Sequence, residues 1–117
     1  MAEHLDTGKL GEDKAAAFLQ DKGYEILVRN YRFRHSEIDI IAKKNKILTF
    51  VEVKTRTNVS FGMPEEFVDA TKRRLIMKAA EQYIFDIDWQ GDIRFDVISV
   101  IITQHTTRIE HIEDAFY

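Results

Sequence analysis

Ile47-Leu48-Thr49-Phe50-Val51-Glu52-Val53-Lys54 alternates in the manner of a β-strand. Successive side chains of a strand point to opposite faces, so Leu48, Phe50, Glu52 and Lys54 share one. That face begins apolar and ends in an acid and an amine. Burying an unpaired charge costs on the order of several kcal/mol. A carboxylate and an amine two residues apart at the end of an apolar face therefore need a chemical reason.

Working backwards, Ile38-Asp39-Ile40-Ile41 is a second apolar run, interrupted by one carboxylate. Lys43-Lys44-Asn45-Lys46 lies between the two runs and reads as a polar hairpin turn joining strands 37–42 and 47–54. Two registers are open. If the turn pairs Lys43 with Lys46, Asp39 faces Phe50 and Glu37 faces Glu52. If the register slips by two, Asp39 faces Glu52 directly. Either way Asp39 and Glu52 project from one face within roughly 5–8 Å. Two carboxylates that close repel unless a cation joins them, and Mg²⁺ takes oxygen ligands of this kind. Lys54 would orient a water or stabilise charge developing on a phosphate. The alternative is an internal ion pair in which Lys54 neutralises Asp39 or Glu52.

The remaining elements follow from periodicity and punctuation. Residues 7–22 read as a helix with Thr7 as cap, Glu12 and Asp13 in its first turns and Gly23 at its end. Leu10, Ala15, Ala16, Phe18 and Leu19 supply its buried face. Glu12 shares that face, so it either points inward or serves as an acid near a helix N-terminus. Gly8 and Gly11 either let the helix approach the sheet closely or loosen its start. Residues 24–33 read as a strand, and Ser60-Phe61-Gly62 as a loop. A long helix is expected over 64–85, with Pro64 near its first position, Glu65 and Glu66 in its first turn, and Val68, Leu75, Ile76, Ala79 and Tyr83 along its stripe. Residues 93–102 read as a buried strand, and 107–112 as a shorter, more exposed one. The string is α-β-β-β-α-β-β, an α/β architecture in one domain over residues 1–117.

Composition narrows the function classes. Apolar residues make up 44% and charged residues 32%, the balance of a water-soluble globule. No window approaches the ~20 apolar residues of a membrane span, and the polar start, Met1 to Asp6, is unlike a signal peptide. A cytoplasmic location is the expectation. The absence of cysteine excludes disulfides, thiolate zinc sites and a cysteine nucleophile. His4, His35, His105 and His111 lack metal spacing, Ser36 lacks a base partner, and no phosphate-binding glycine loop is present. Net charge is −3, yet residues 23–62 carry eight Lys or Arg against four acids. Lys72-Arg73-Arg74 with Lys78 forms a second basic knot. A basic face on an acidic chain can hold phosphates, or can be ordinary solvated charge.

Six motifs run in order along nearly the whole chain: Gly8-Lys9-Leu10-Gly11-Glu12, Asn30-Tyr31-Arg32, Glu37-Ile38-Asp39, Phe50-Val51-Glu52-Val53-Lys54-Thr55-Arg56, Phe61-Gly62 and Arg94-Phe95-Asp96-Val97. Together they resemble the YraN-like family of bacterial proteins. Through that family they resemble the restriction-endonuclease-like PD-(D/E)xK superfamily, and within it the archaeal Holliday-junction resolvases. The resemblance implies a mixed central β-sheet flanked by helices. It implies that Asp39 and Glu52 are metal carboxylates for Mg²⁺ (or Mn²⁺), that Lys54 is the catalytic lysine, and that Glu12 is the helix-borne acid completing the site. Two positions depart from the pattern. Ile38 stands where the superfamily has proline, and Ser36 where the family usually has glycine. Neither removes a ligand.

The resulting expectation is a Mg²⁺-dependent endonuclease hydrolysing phosphodiester bonds in DNA, including branched or structured DNA. Arg56, Lys72, Arg73 and Arg74 are the candidate nucleic-acid contacts. The alternatives are a non-catalytic nucleic-acid-binding module and an interaction protein whose charges are structural. Relatives that cut two strands are often dimers, so a homodimer is also expected. Glu37 shares a face with Asp39, so it is either a further ligand or, the favoured reading, the partner of a neighbouring arginine; Asp96 is expected to pair with Arg94 or a backbone amide.

Overall fold

The computed structural model describes residues 7–57 and 68–116. The elements are α1 (Thr7–Asp21), β1 (Glu25–Phe33), β2 (Ser36–Lys44), β3 (Ile47–Arg56), α2 (Ala70–Ile87), β4 (Asp92–Ile102) and β5 (Thr107–Phe116). This is the expected α-β-β-β-α-β-β string. The strands form one mixed sheet in the order β1-β2-β3-β4-β5. β1, β2 and β3 form an antiparallel meander, β4 runs parallel to β3, and β5 returns antiparallel to β4. A parallel pair needs a crossover, and α2 lies in the connection from β3 to β4.

The two helices cover opposite faces. Ala15, Ala16 and Leu19 of α1 pack over Ile40, Ala42, Val51, Ile98 and Val100. Ile76, Ala79 and Ala80 of α2 pack over Ile41, Leu48, Phe50, Phe95 and Val97. β4 is largely apolar from Phe95 onward because it lies inside the sheet and is buried from both sides. Phe95 stacks between Phe50 and Phe116, at 5.4 and 5.3 Å between ring centroids, tying β3, β4 and β5 together.

Several boundaries move, each for a local reason. Thr7 is already helical and does not act as a cap outside α1. Gly23, at φ 96°, closes α1: its N–H donates to the Gln20 carbonyl, and the Tyr24 N–H to the Leu19 carbonyl, both at 3.0 Å. The expected start of the second helix at Pro64, with Glu65 and Glu66, lies outside the described residues, as do the Ser60-Phe61-Gly62 loop and His4. Within them, Val68 and Asp69 precede the helix, and the Asp69 carboxylate caps it by accepting the Lys72 N–H at 2.8 Å. Leu75, expected in the buried stripe, is 40% exposed. β5 continues to Phe116, past the expected end at Ile112, through a register shift opposite Asp96. Among the described residues no helix is long and apolar enough to cross a membrane.

Gly11 sets the distance between α1 and the sheet. A Cβ at this position would lie 1.9 Å from Thr55 Oγ1 and 2.8 Å from Thr55 Cβ. Rotating the Thr55 side chain cannot relieve the second contact, so helix or strand must move. The close-approach reading of Gly11 therefore holds. Gly11→Ala should destabilise the fold by about 1–3 kcal/mol, the usual cost of overpacking, and a paired Gly11→Ala/Thr55→Gly variant should recover much of it. Denaturant melts of parent, single and double variants test this. An unchanged midpoint for Gly11→Ala would remove the glycine's structural role.

Candidate metal centre

The hairpin between β2 and β3 turns through two residues, Asn45 and Lys46, with Asn45 at φ 57°. Lys44 pairs with Ile47, and the ladder runs to Ile40 opposite Val51. Continued by one residue, this register sets Asp39 opposite Glu52. It is the slipped register of the two left open by the sequence. On the other side, β1 pairs Arg29 with Ile40 and Tyr31 with Ile38, which brackets Asn30 opposite Asp39. Asn30, Asp39 and Glu52 thus form one row across three strands.

The alternation of β2 breaks at this row. Ile38 and Ile40, two residues apart, pack into opposite cores. Here the Asp39 carboxylate accepts the Val53 N–H at 2.8 Å, at the seam where β2 and β3 part. It opens on a cleft of about 510 Å³ that is also lined by Glu12, Glu37, Asn30 and Thr55. Burial, then the negative charges of Glu52 and Glu12, push the Asp39 carboxyl up to about 7, against the Val53 hydrogen bond and the charge of Lys72. Negative charge is in excess at this point.

Glu52 is buried, 5% exposed, and is turned toward α2. Lys72 of α2 donates a hydrogen bond to its Oε2, and Lys54 Nζ lies 3.5 Å from the same oxygen. Burial works against the Lys72 ammonium, but the hydrogen bond and charge of Glu52 prevail and raise its pKa. Lys72 was expected only as a phosphate contact, yet the fold makes it a direct partner of a candidate ligand. Its place beside the buried stripe of α2 was the available signal.

Glu12 reaches the row from α1. Arg29 Nη2 and Nε donate to its Oε1 at 2.7 and 3.0 Å, and Asn30 Nδ2 donates to its Oε2 at 2.8 Å. Arg29 Nη2 also holds Asp13 at 2.6 Å and lowers its pKa. Glu12 is therefore clamped from β1 by two residues that had no assigned role. Asn30, at φ 55°, leaves the normal strand conformation where it makes this contact.

Other expected residues fall elsewhere. Arg56 ends β3 opposite Ile101, half-buried. Arg73 is half-buried and Arg74 exposed on α2. Glu37 pairs with Arg32 at 3.7 Å, as expected of a neighbouring arginine. Asp96, fully buried, takes both expected partners: Arg94 Nε and Nη2 donate at 2.9 Å, and so does the Asp114 N–H. His111 Nε2 adds a further donor at 2.7 Å. Burial would raise the Asp96 pKa, but these donors together lower it.

Among the described residues no three acidic or histidine side chains converge closely enough to grip an ion as they stand. The donor set is nonetheless all oxygen, and the charge excess at Asp39 suits a hard divalent cation. The raised Asp39 pKa has a measurable consequence. Between its usual value of 3.8 and about 7 the folded chain holds a proton that the unfolded chain does not. Stability should therefore fall as pH rises through that window. Asp39→Asn removes the penalty, so its stability relative to the parent should grow by on the order of 1–3 kcal/mol from about pH 4 to about pH 8. At the upper pH, Mn²⁺ should stabilise the parent and not the variant. A stability difference independent of pH would show that Asp39 carries no such strain.

The model of uncharacterised protein family UPF0102 matches residues 11–100. A UPF0102 protein of Flavobacterium psychrophilum is 51% identical over 117 residues, covering 100% of this chain and 98% of that protein. Those of Bacteroides thetaiotaomicron and Chloroherpeton thalassium are each 48% identical and each cover 100% of this chain, spanning 97% and 93% of their own lengths. The chain belongs to family UPF0102, the YraN-like group that its motifs resemble.

Proposed function

We propose that this chain is a metal-dependent endonuclease of the restriction-endonuclease-like kind, hydrolysing phosphodiester bonds in DNA, including branched or structured DNA. One observation carries the reading: Asp39 stands opposite Glu52 where β2 and β3 part, beside an acid-lined cleft, with Lys54 next along the Glu52 face. A charge-strained carboxylate in a cleft is a mark of function more than of stability.

Asp39 and Glu52 would hold the cation, Mg²⁺ or Mn²⁺. When bound, such an ion polarises a phosphate and eases deprotonation of water. The chain's own residues do the rest. Lys54 places an ammonium beside the scissile phosphate, where negative charge grows in the transition state. Lys72, now on Glu52, is free to turn to the phosphate once that carboxylate has another cation. Glu12, fixed by Arg29 and Asn30, holds negative charge near Asp39 and so favours cation uptake. Arg56, Arg73 and Arg74 would contact the flanking backbone.

A second reading is a nucleic-acid-binding module without turnover. The lysine pair on Glu52 favours it, because the two ammonium groups already neutralise that carboxylate.

Metal-dependent cleavage of linear, flapped and four-way DNA separates the two. Under single turnover, Lys54→Ala should lose cleavage by roughly 10²-fold or more, the scale of losing one key electrostatic group, with DNA affinity nearly kept. Lys72→Ala should tighten Mn²⁺ binding in calorimetry, because a competitor for Glu52 is gone, while weakening DNA binding modestly. DNA binding by the parent without cleavage of any form would support the second reading. Cleavage by Lys54→Ala at the parental rate would reduce that lysine to a counter-ion.

A further inference from the structure

Two more depressions lie beyond the acid-lined cleft. Glu37 borders that cleft and also a small one of about 80 Å³ that reaches Lys72, Ser36 and His35. His35, Ser36 and Leu75 in turn border a third cleft, of about 480 Å³, between the β1–β2 turn and α2. Phe33, Arg34, Lys78 and Gln82 line its far part. The second and third adjoin along His35, Ser36 and Leu75, a track leading from Lys72, on Glu52, to the outer face of α2, and they meet the first only at Glu37.

The chemistry of the third cleft is uncommon for a solvated surface. Leu75 contributes an exposed apolar floor. The Arg34 guanidinium lies 5.2 Å from the centroid of the half-buried Phe33 ring. Lys78 adds a second exposed cation, with Glu81 the one acid in the lining. Ser36 Oγ donates to the Leu75 carbonyl at 2.9 Å, so the turn and helix are pinned together and the cleft has a fixed width.

We infer that this cleft binds one unpaired nucleotide of the substrate strand, beside the scissile phosphate. The inference rests on the endonuclease reading and names its substrate class: DNA with a single-stranded arm. An unpaired base exposes a flat π face, which stacks on an aromatic ring or a guanidinium plane without regard to sequence. The Arg34 guanidinium, held over the Phe33 ring that packs against the core beneath it, offers such a plane, and Leu75 covers the base edge. Lys78 and Lys72 lie along the track to hold the phosphates on either side. A duplex would present only its charged backbone to this apolar floor. The volume suits a small ligand held in a pocket, not a double helix.

The test is direct binding of the full chain, by fluorescence anisotropy without added metal. The probes are a labelled oligothymidylate, a blunt duplex and the same duplex with a single-stranded overhang. The parent should hold the overhang substrate and the oligothymidylate more tightly than the blunt duplex. Phe33→Leu should lower the overhang-to-blunt preference by about tenfold, the scale of one lost base stack. Arg34→Asn, at an exposed turn position whose left-handed backbone asparagine tolerates, should shift the preference in the same direction without touching the core. A parent that cuts DNA with metal but shows no overhang preference overturns this inference alone. So does a preference that survives both variants. A parent that binds and cuts no DNA form overturns the inference and the endonuclease reading together.

Discussion

Where β2 and β3 part, the ladder between them runs out at Ile40 and Val51, and the Val53 N–H needs another acceptor. The Asp39 carboxylate supplies it. This one hydrogen bond lets the sheet open at its edge without leaving a main-chain donor unpaired. It also fixes a carboxylate in the row that holds Asn30 and Glu52. The clefts, the clamp on Glu12 and the reach of Lys72 from α2 are all arranged around that opening. A carboxylate held there is poorly solvated and surrounded by like charge, which is why its pKa rises to about 7.

Asp96 makes the comparison sharper. Both aspartates interrupt apolar strands, Asp96 fully buried and Asp39 half-buried at its cleft. Asp96 receives donors from Arg94, His111 and the Asp114 amide, and its pKa falls. The His111 ring is itself placed by Lys22, whose Nζ lies 2.9 Å from Nδ1. An ammonium can only donate, so Nδ1 accepts there and Nε2 is the nitrogen turned to Asp96. Asp96 is a satisfied structural group that anchors the irregular end of β5. Asp39 has donors too few for its charge. Residue type and strand context are alike, and the number of donors sets the direction of each pKa.

Much of this was legible beforehand because it depends on short-range pattern. The alternation of β3, the polar turn before it and the β-branched run of β4 each state their structure within a few residues. The pairing of Asp39 with Glu52 was legible up to a choice of register, which the two-residue turn at Asn45-Lys46 decides. What lay hidden depends on contacts between distant elements. Nothing near Arg29 announces that it will clamp Glu12 on α1. Lys72 and Leu75 sit three residues apart at the edge of one helical stripe, and periodicity assigned the second to the core. Tertiary packing turns the first onto Glu52 and leaves the second facing a cleft. Val68 fits the helical stripe yet precedes α2, because Asp69 right after it is a strong helix cap.

The sheet order carries a consequence in time. β1, β2 and β3 are neighbours in sequence and pair locally, whereas β4 joins β3 only after α2 has been laid across the face. Local contacts form sooner than distant ones. On a growing chain, the meander would bring Asp39 and Glu52 together before Lys72 has arrived to relieve them. The nascent hairpin would have only Lys54, on β3 itself, to offset the two acids, and the later docking of α2 would add a second ammonium. The order of synthesis would thus leave the Glu52–Lys72 pair, which joins sheet to helix, among the last charge contacts to close.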